Sequence, residues 1–181
     1  MSHVGHLLVA TPLIGDPNFE RTVVLLLAHT DDGAFGIVLN RPSATTVGEV
    51  VADWSPWAAP PDTVFLGGPV GRDAVVGMGR CEGPPLSGFQ PVVGPVGTLD
   101  LNDPPTPAGD APSAVRLFAG SAGWAGGQLE DELAEGAWWL VDAHPDDVLT
   151  AEPDDLWARV LRRQPSKVAW FANHPGDPTV N

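Results

Sequence analysis

Apolar and polar positions follow one another along this chain in short blocks, most of them extended. "HLLVA" at 6–10 is apolar after its first residue and is closed by Pro12, which predicts a strand. "RTVVLLLAH" at 21–29 is rich in valine and leucine with no polar alternation, the pattern of a strand buried on both faces. Asp32-Gly33 is a turn signal and "FGIVLN" at 35–40 is the return strand, so 21–40 predicts a hairpin. Thr46 with Glu49 three residues later has capping-box spacing ahead of Val50 and Val51. The expectation is a helix over about 46–54, stopped before Pro56. "TVFLGG" and "AVVGMGR" read as two further strands, the first closed by Gly67, Gly68 and Pro69.

Beyond Cys81 the pattern thins. Residues 82–113 are rich in glycine and proline, with one strand-like piece, "VGTLDL" at 96–101. Residues 102–113, "NDPPTPAGDAPS", have the composition of a mobile loop. "AVRLFAG" at 114–120 is again a strand, expected to end in a glycine corner that leads to a helix over 128–135, with Leu129 and Leu133 on one face. "AWWLVDA" predicts a strand, and 153–164 an amphipathic helix with Leu156, Trp157, Val160 and Leu161 inward, stopped by Pro165. Strands and helices mix without a β-α-β rhythm and no repeat recurs. Both observations point to an α+β fold in a single domain over 1–181.

Charge narrows the function classes. Twenty-three acidic residues against nine basic ones give −14, a field that repels phosphate backbones and anionic membranes. The one basic cluster, Arg159, Arg162, Arg163 and Lys167, has a simpler use. Its arginines lie in the last turns of a helix whose first turn carries Asp154 and Asp155, so both ends complement the helix dipole. The single Cys81 excludes an internal disulfide and fits a reducing compartment. Arg80 and Glu82 oppose each other in tuning it, which favours an inert thiol over a redox role. The N-terminal stretch lacks a basic segment followed by a cleavage pattern, and the run at 23–28 is too short to span a bilayer. The expectation is a cytoplasmic protein without membrane contact.

Candidate chemistry is sparse. "AGSAG" around Ser121 has the strand-turn-helix setting of a nucleophile elbow, but Ala119 stands where that motif has its first glycine. A serine also needs a base, and His29, His144 and His174 are candidates that the sequence does not place beside it. The start of the 128–135 helix carries Glu130, Asp131 and Glu132, which satisfy the positive dipole end and repel an incoming anion. "GMGRCEG" and "LGGPVGRD" lack the spacing of a nucleotide-binding loop. No metal-ligand spacing occurs, and one cysteine cannot build a structural zinc site. The expectation is no metal and no cofactor.

Three long blocks nevertheless carry a resemblance. "LLVATPLIGDPNFERTVVLLLAHTDDGAFGIVLNRP", "FLGGPV" and "GSAGWAGGQLEDELAEGAWW" occur in this order, and the chain resembles the AlgH/YqgE family of bacterial proteins over nearly its whole length. Trp157 is similar to that family's late tryptophan, while Ser121 stands where the family pattern usually has tyrosine, which argues against a shared serine nucleophile. The resemblance implies a bent or bifurcated, mixed or antiparallel sheet, partly closed like a barrel and surrounded by short helices. It implies no established catalytic residue, and members are often labelled putative transcriptional regulators. Of the matching positions, Gly15, Pro17, Phe19, Pro42, Gly67, Gly68, Pro69, Gly120, Gly123, Trp124 and Leu129 have a geometric explanation. Asp16, Arg21, His29, Asn40, Arg41, Gln128 and Glu130 are polar and form the candidate ligand or partner site. The leading expectation is a regulatory or interaction protein of unknown partner, without direct DNA contact. The alternative is an enzyme or small-ligand binder that uses a polar cleft built from those residues. Trp124 is expected to anchor the glycine corner, with Gln128 and Glu130 facing the "GDPNFER" loop and "LNRP", which carry Arg21 and Arg41.

Overall fold

Valine and leucine runs with no polar alternation need cover on both faces, and the chain supplies it. The computed structural model describes residues 1–84, 86–106 and 109–173. It begins with β1 (His6–Ala10), β2 (Val23–Thr30) and β3 (Gly33–Val38), an antiparallel ladder in which Leu8 lies opposite Val24 and Leu25 opposite Ile37. There follow β4 (Pro42–Thr46), α1 (Val47–Val50), a 3-10 segment (Ala52–Trp57), β5 (Thr63–Leu66) and β6 (Val70–Arg80). Then come β7 (Gln90–Val93), β8 (Val96–Leu99), β9 (Ala114–Ala125), α2 (Gln128–Ala134) and β10 (Trp138–Asp142). The described chain ends through α3 (Pro145–Val148), α4 (Leu156–Arg162) and a 3-10 segment (Ser166–Asn173).

The sheet runs β10-β1-β2-β3-β9-β6-β8-β7, with β5 also beside β9 and β4 beside β5. It is mostly antiparallel and curls into a half-barrel. Strand β9 is where it divides. Its first half pairs with β6 and, in parallel, with β5; its second half pairs with β3, Gly36 opposite Ala122. Alternation along β1 and β2 sends Leu7, Val9, Val23 and Leu25 into one core with Leu156, Trp157 and Leu161 of α4. Leu8, Ala10, Val24 and Leu26 go to the other face, under Leu129 of α2.

Several expectations need correction. The strand at 114–120 does not stop at a glycine corner: β9 continues to Ala125, and the turn is at Gly126 and Gly127. Ser121 therefore lies inside a strand opposite Val70, buried, and not on an elbow. The helix expected over 46–54 is only one α-turn. Its capping box is present, with Glu49 accepting from Thr46 N–H at 2.7 Å, but Val51 leaves helical geometry and a 3-10 segment runs on through Pro56. Strand β6 starts at Val70 rather than near 74, β8 ends at Leu99, and β4, β7 and α3 are additional elements. Among the described residues of 102–113 there is no strand or helix; residues 107–108, like His174 and the rest of the C-terminal tail, lie outside the described residues.

The glycines of two sequence blocks meet across the division of the sheet. A Cβ added to Gly67 would sit 2.3 Å from the Gly120 carbonyl oxygen, and one on Gly68 only 2.2 Å from the backbone of Ser121. Gly120 has a positive φ of 76°, and a Cβ there would come within 2.5 Å of the Gly68 carbonyl oxygen. These glycines let β9 cross the end of β5 at backbone contact, where Gly67 N–H donates to the Ala119 carbonyl at 2.8 Å. Gly123 plays no such part. An added Cβ there meets nothing within 4 Å.

Candidate functional site

The crossing of β9 carries Trp124 out to the edge where α2 begins. Trp124 is buried and lies within 6.4 Å of Phe19 and 6.0 Å of Trp138, ring centroid to centroid; Phe19 and Trp138 are 5.6 Å apart, edge to face. Three rings from three distant sequence positions thus form one aromatic wall. Both indole N–H groups point at a single acceptor. Trp124 Nε1 and Trp138 Nε1 donate to Glu132 Oε2 at 2.9 and 2.8 Å, and Gln128 Nε2 donates to Glu132 Oε1 at 2.9 Å. Gln128 and Glu132 are one helical turn apart, so α2 presents them on one face. Gln128 Oε1 also accepts from Ala125 N–H at 3.0 Å, tying the helix start to the end of β9.

Beside this wall is a cleft of about 330 Å³, bounded by the loop after β1, the end of β9, α2 and the start of β10. Asp16, Phe19, Gly123, Trp124 and Gln128 line it, five positions that the sequence marks as motif residues, together with Glu132 and Trp138. A larger hollow of about 570 Å³ near α3 and α4 contains none of the marked residues. There Arg163 makes a two-pronged pair with buried Asp147, at 2.7 Å to each oxygen.

Two other marked polar residues, Asn40 and Arg41, hold the loop that forms one wall of the cleft. Asn40 accepts from Val23 N–H at 3.1 Å and donates to the Arg21 carbonyl at 2.9 Å, a clamp across the β1–β2 loop exit. Arg41 donates to the Glu20 carbonyl at 2.8 Å. Arg21 has a positive φ of 54°, and its guanidinium lies 4.3 Å above the Trp157 ring. Neither arginine lines the cleft: of the two segments expected opposite Gln128 and Glu130, "GDPNFER" meets Gln128 there through Asp16 and Phe19, whereas "LNRP" and Glu130 do not line it. Asp16 accepts from Asn18 N–H at 2.9 Å, which shapes the loop tip.

His29 and Glu130 form a separate pair on the adjacent edge. The His29 side chain is 5% exposed, its Nε2 lies 2.7 Å from Glu130 Oε1, and its Nδ1 accepts from His3 N–H at 3.1 Å. The Glu130 backbone N–H and then the His29 hydrogen bond hold that carboxyl below the usual carboxylate range. The His3 ring stacks on His29 at 5.1 Å; partial burial, then His29, lowers its pKa. No hydrogen bond joins Ser121 to a histidine among the described residues, and the His144 backbone N–H is engaged with Asp147 at 2.7 Å. Cys81 is partly buried, and that burial raises its pKa. Among the described residues no three His, Cys, Asp or Glu side chains are grouped to hold a metal ion, and no helix is long and apolar enough to cross a membrane.

Sequence reasoning passed over Glu132 and Trp138. The i, i+4 spacing of Glu132 from Gln128 was the available signal; Trp138 read only as part of a strand.

The AlgH-like family model matches residues 7–169. The chain belongs to the AlgH-like family. A UPF0301 protein of Streptomyces coelicolor is 48% identical over 186 residues, covering 99% of this chain and 96% of the relative. One from Thermobifida fusca is 45% identical, covering 100% and 96%. Among solved structures, protein DIP2367 of Corynebacterium diphtheriae superposes with a TM-score of 0.87 at 31% identity, covering 95% of this chain and 92% of that one. The AlgH protein of Pseudomonas aeruginosa superposes with a TM-score of 0.68 at 29% identity, covering 96% and 94%. AlgH-like sequence and half-barrel fold therefore coincide.

Proposed function

We propose that this AlgH-like protein is a cytoplasmic regulatory or interaction module that works by binding a ligand or a partner's side chain in the Trp124–Trp138 cleft, without direct DNA contact. One observation carries the reading: two of the marked polar residues, Asp16 and Gln128, line one cleft together with three of the geometric motif positions, Phe19, Gly123 and Trp124. An aromatic wall faces a few oriented polar groups, the pairing by which a concave site fixes a ligand's orientation. The bonds of Asn40 and Arg41 support it further, because they fix the loop that bears Asp16 and Phe19. The charge of −14 argues against DNA.

The test is a ¹⁵N–¹H titration with a mixed panel of neutral, anionic and cationic small molecules. Saturable shifts centred on Trp124, Gln128, Trp138 and the 13–19 loop are expected. Binding that maps elsewhere and leaves these resonances unmoved would overturn the reading. So would a complex with DNA that weakens steeply with salt, the mark of phosphate contacts.

A further inference from the structure

All the charge lining the cleft is of one sign. Asp16, Glu132 and Glu135 are there, and no lysine, arginine or histidine is among the lining residues. Glu132 is the most informative of the three. Its carboxylate accepts three hydrogen bonds, from Trp124, Trp138 and Gln128, and every donor is neutral. These bonds orient the group without cancelling its charge. Among the described residues Glu132 forms no ion pair, and Glu135 is exposed with no side-chain hydrogen bond.

The ligand chemistry follows by elimination. An anion would meet three carboxylates in a chain that already carries −14. A neutral apolar ligand would strip water from Glu132 and offer nothing in return, which is costly for a charged group. A cation with an apolar stem satisfies both walls at once, because indole faces attract positive charge and the stem covers ring carbon. The volume, about 330 Å³, lies at the small end of ligand pockets.

We infer that the cleft binds a small organic cation, a guanidinium or alkylammonium head on a short apolar stem. The head sits against Glu132 with Asp16 and Glu135 around it, and the stem lies on the Phe19, Trp124 and Trp138 wall. The same chemistry arises from a free molecule or from an arginine or lysine side chain of a partner. The inference rests on the cleft being the ligand site.

The experiment compares butylguanidinium with its neutral isostere butylurea and with butyrate, at moderate salt, by ¹⁵N–¹H titration. The indole N–H resonances of Trp124 and Trp138 are the readout, since both groups donate to the Glu132 carboxylate. Saturable shifts with butylguanidinium, at least tenfold tighter than with either control, are expected. Glu135→Gln, a change at an exposed residue outside the hydrogen-bonded cluster, should weaken binding about three- to tenfold. Glu132→Gln should weaken it more, if its spectrum remains that of a folded protein. A blocked Gly-Arg-Gly peptide separates the sources. Binding tighter than that of butylguanidinium assigns the site to a partner's side chain, and weaker binding assigns it to a free cation. Equal or tighter binding of butylurea or butyrate in the cleft overturns the cation inference and leaves the ligand-site reading standing. Weak shifts spread over all acidic segments and erased by salt overturn the cation inference too. Silence from all three probes, with the mixed panel mapping elsewhere, overturns both.

Discussion

Arg116 offers a sharp test of how this fold is held, because a burial penalty and a set of charge-assisted contacts oppose each other there. The residue is 1% exposed near the start of β9, and among the described residues it forms no ion pair. Its guanidinium donates to the Thr150 carbonyl at 2.6 Å and the Pro60 carbonyl at 2.7 Å, with longer contacts to Val148 and Ala59, and lies 4.2 Å from the Phe65 ring centroid. It thus ties the segment after the 3-10 turn to the end of α3. Burial pushes its pKa down to about 10, and Nε is buried without a partner. That displacement corresponds to roughly 3 kcal/mol of desolvation cost. Against it stand two short charge-assisted bonds at roughly 1.5–3 kcal/mol each and a desolvated cation–π contact at roughly 2 kcal/mol. Arg116→Met removes the penalty together with the bonds, so the expected net loss is about 2–5 kcal/mol. Arg116→Lys keeps the buried charge but gives up the fork that reaches two carbonyls, and should cost at least as much. Urea denaturation with an unchanged slope reads both losses from the midpoint. A methionine variant as stable as the wild type, or more so, would refute the reasoning: the burial cost would then outweigh the bonds.

Trp124→Ala is expected to cost about 3–5 kcal/mol. Trp124→Phe, which loses only the N–H to Glu132 and part of the ring, should cost about 1.5–3 kcal/mol; wild-type denaturation midpoints would place the ring outside the core. Gly68→Ala should cost about 3 kcal/mol or more, since φ is +149° and the new Cβ would overlap the Ser121 backbone; a loss below about 0.5 kcal/mol would mean that the crossing relaxes freely. His3 has a lowered folded-state pKa, so the folded chain binds fewer protons there than the unfolded one. Docking of the N-terminal residues on His29 is therefore complete above about pH 6.5 and weakens as pH falls below that value toward the lowered pKa of the folded state. Hydrogen exchange at the His3 amide should speed up on acidification beyond the intrinsic trend, and an unchanged protection factor would contradict this. Ser121, buried within β9, should remain unlabelled by a fluorophosphonate probe in the folded protein, and stoichiometric labelling would reopen the hydrolase reading.

Elements whose signal is local were legible in the sequence. β1, β2, β3 and the helix over 156–162 announce themselves through runs and periodicities a few residues long, and their cores match the residues expected to face inward. Elements that exist only because of a distant partner were not. β7 is only four residues long and contains Pro91, and it is a strand because β8 pairs with it, Val93 opposite Val96. β9 extends past Gly120 because β3 offers four more partners, from Ala122 to Ala125. Glycine was misread for the same reason. Asp32-Gly33 looked like the turn, but Thr30 pairs with Gly33, so Asp31 and Asp32 make the turn. A Cβ on Gly33 would lie 2.3 Å from the Trp124 carbonyl oxygen, so that glycine serves the approach of β9.

This misreading also explains why the candidate site was only half legible. Whether the marked polar residues cluster is what separates a ligand site from a scaffold. The fold divides them: Asp16 and Gln128 line the cleft, while Arg21, His29, Asn40, Arg41 and Glu130 do not. Asp16 and Gln128 reach the cleft because the loop after β1 and the start of α2 both abut the strand's far end. Asn40 and Arg41 sit at the end of β3 and spend their donors on the backbone of residues 20 and 21. They shape the cleft from a distance by holding the loop that carries Phe19. Glu132 lies on the cleft face of α2, yet on sequence it was one acid among several in a short helix. Its role became visible only when Trp124 and Trp138, fourteen positions apart in sequence, were found to donate to the same oxygen. A carboxylate held by two indoles is a long-range property of strand pairing. The Trp138 register is set by its pairing with Ala10, and Trp124 lies opposite Ala34. Shifting either strand by one residue would turn its indole to the opposite face and leave Glu132 without that donor. The chemistry of the cleft is therefore fixed by the same register that closes the sheet.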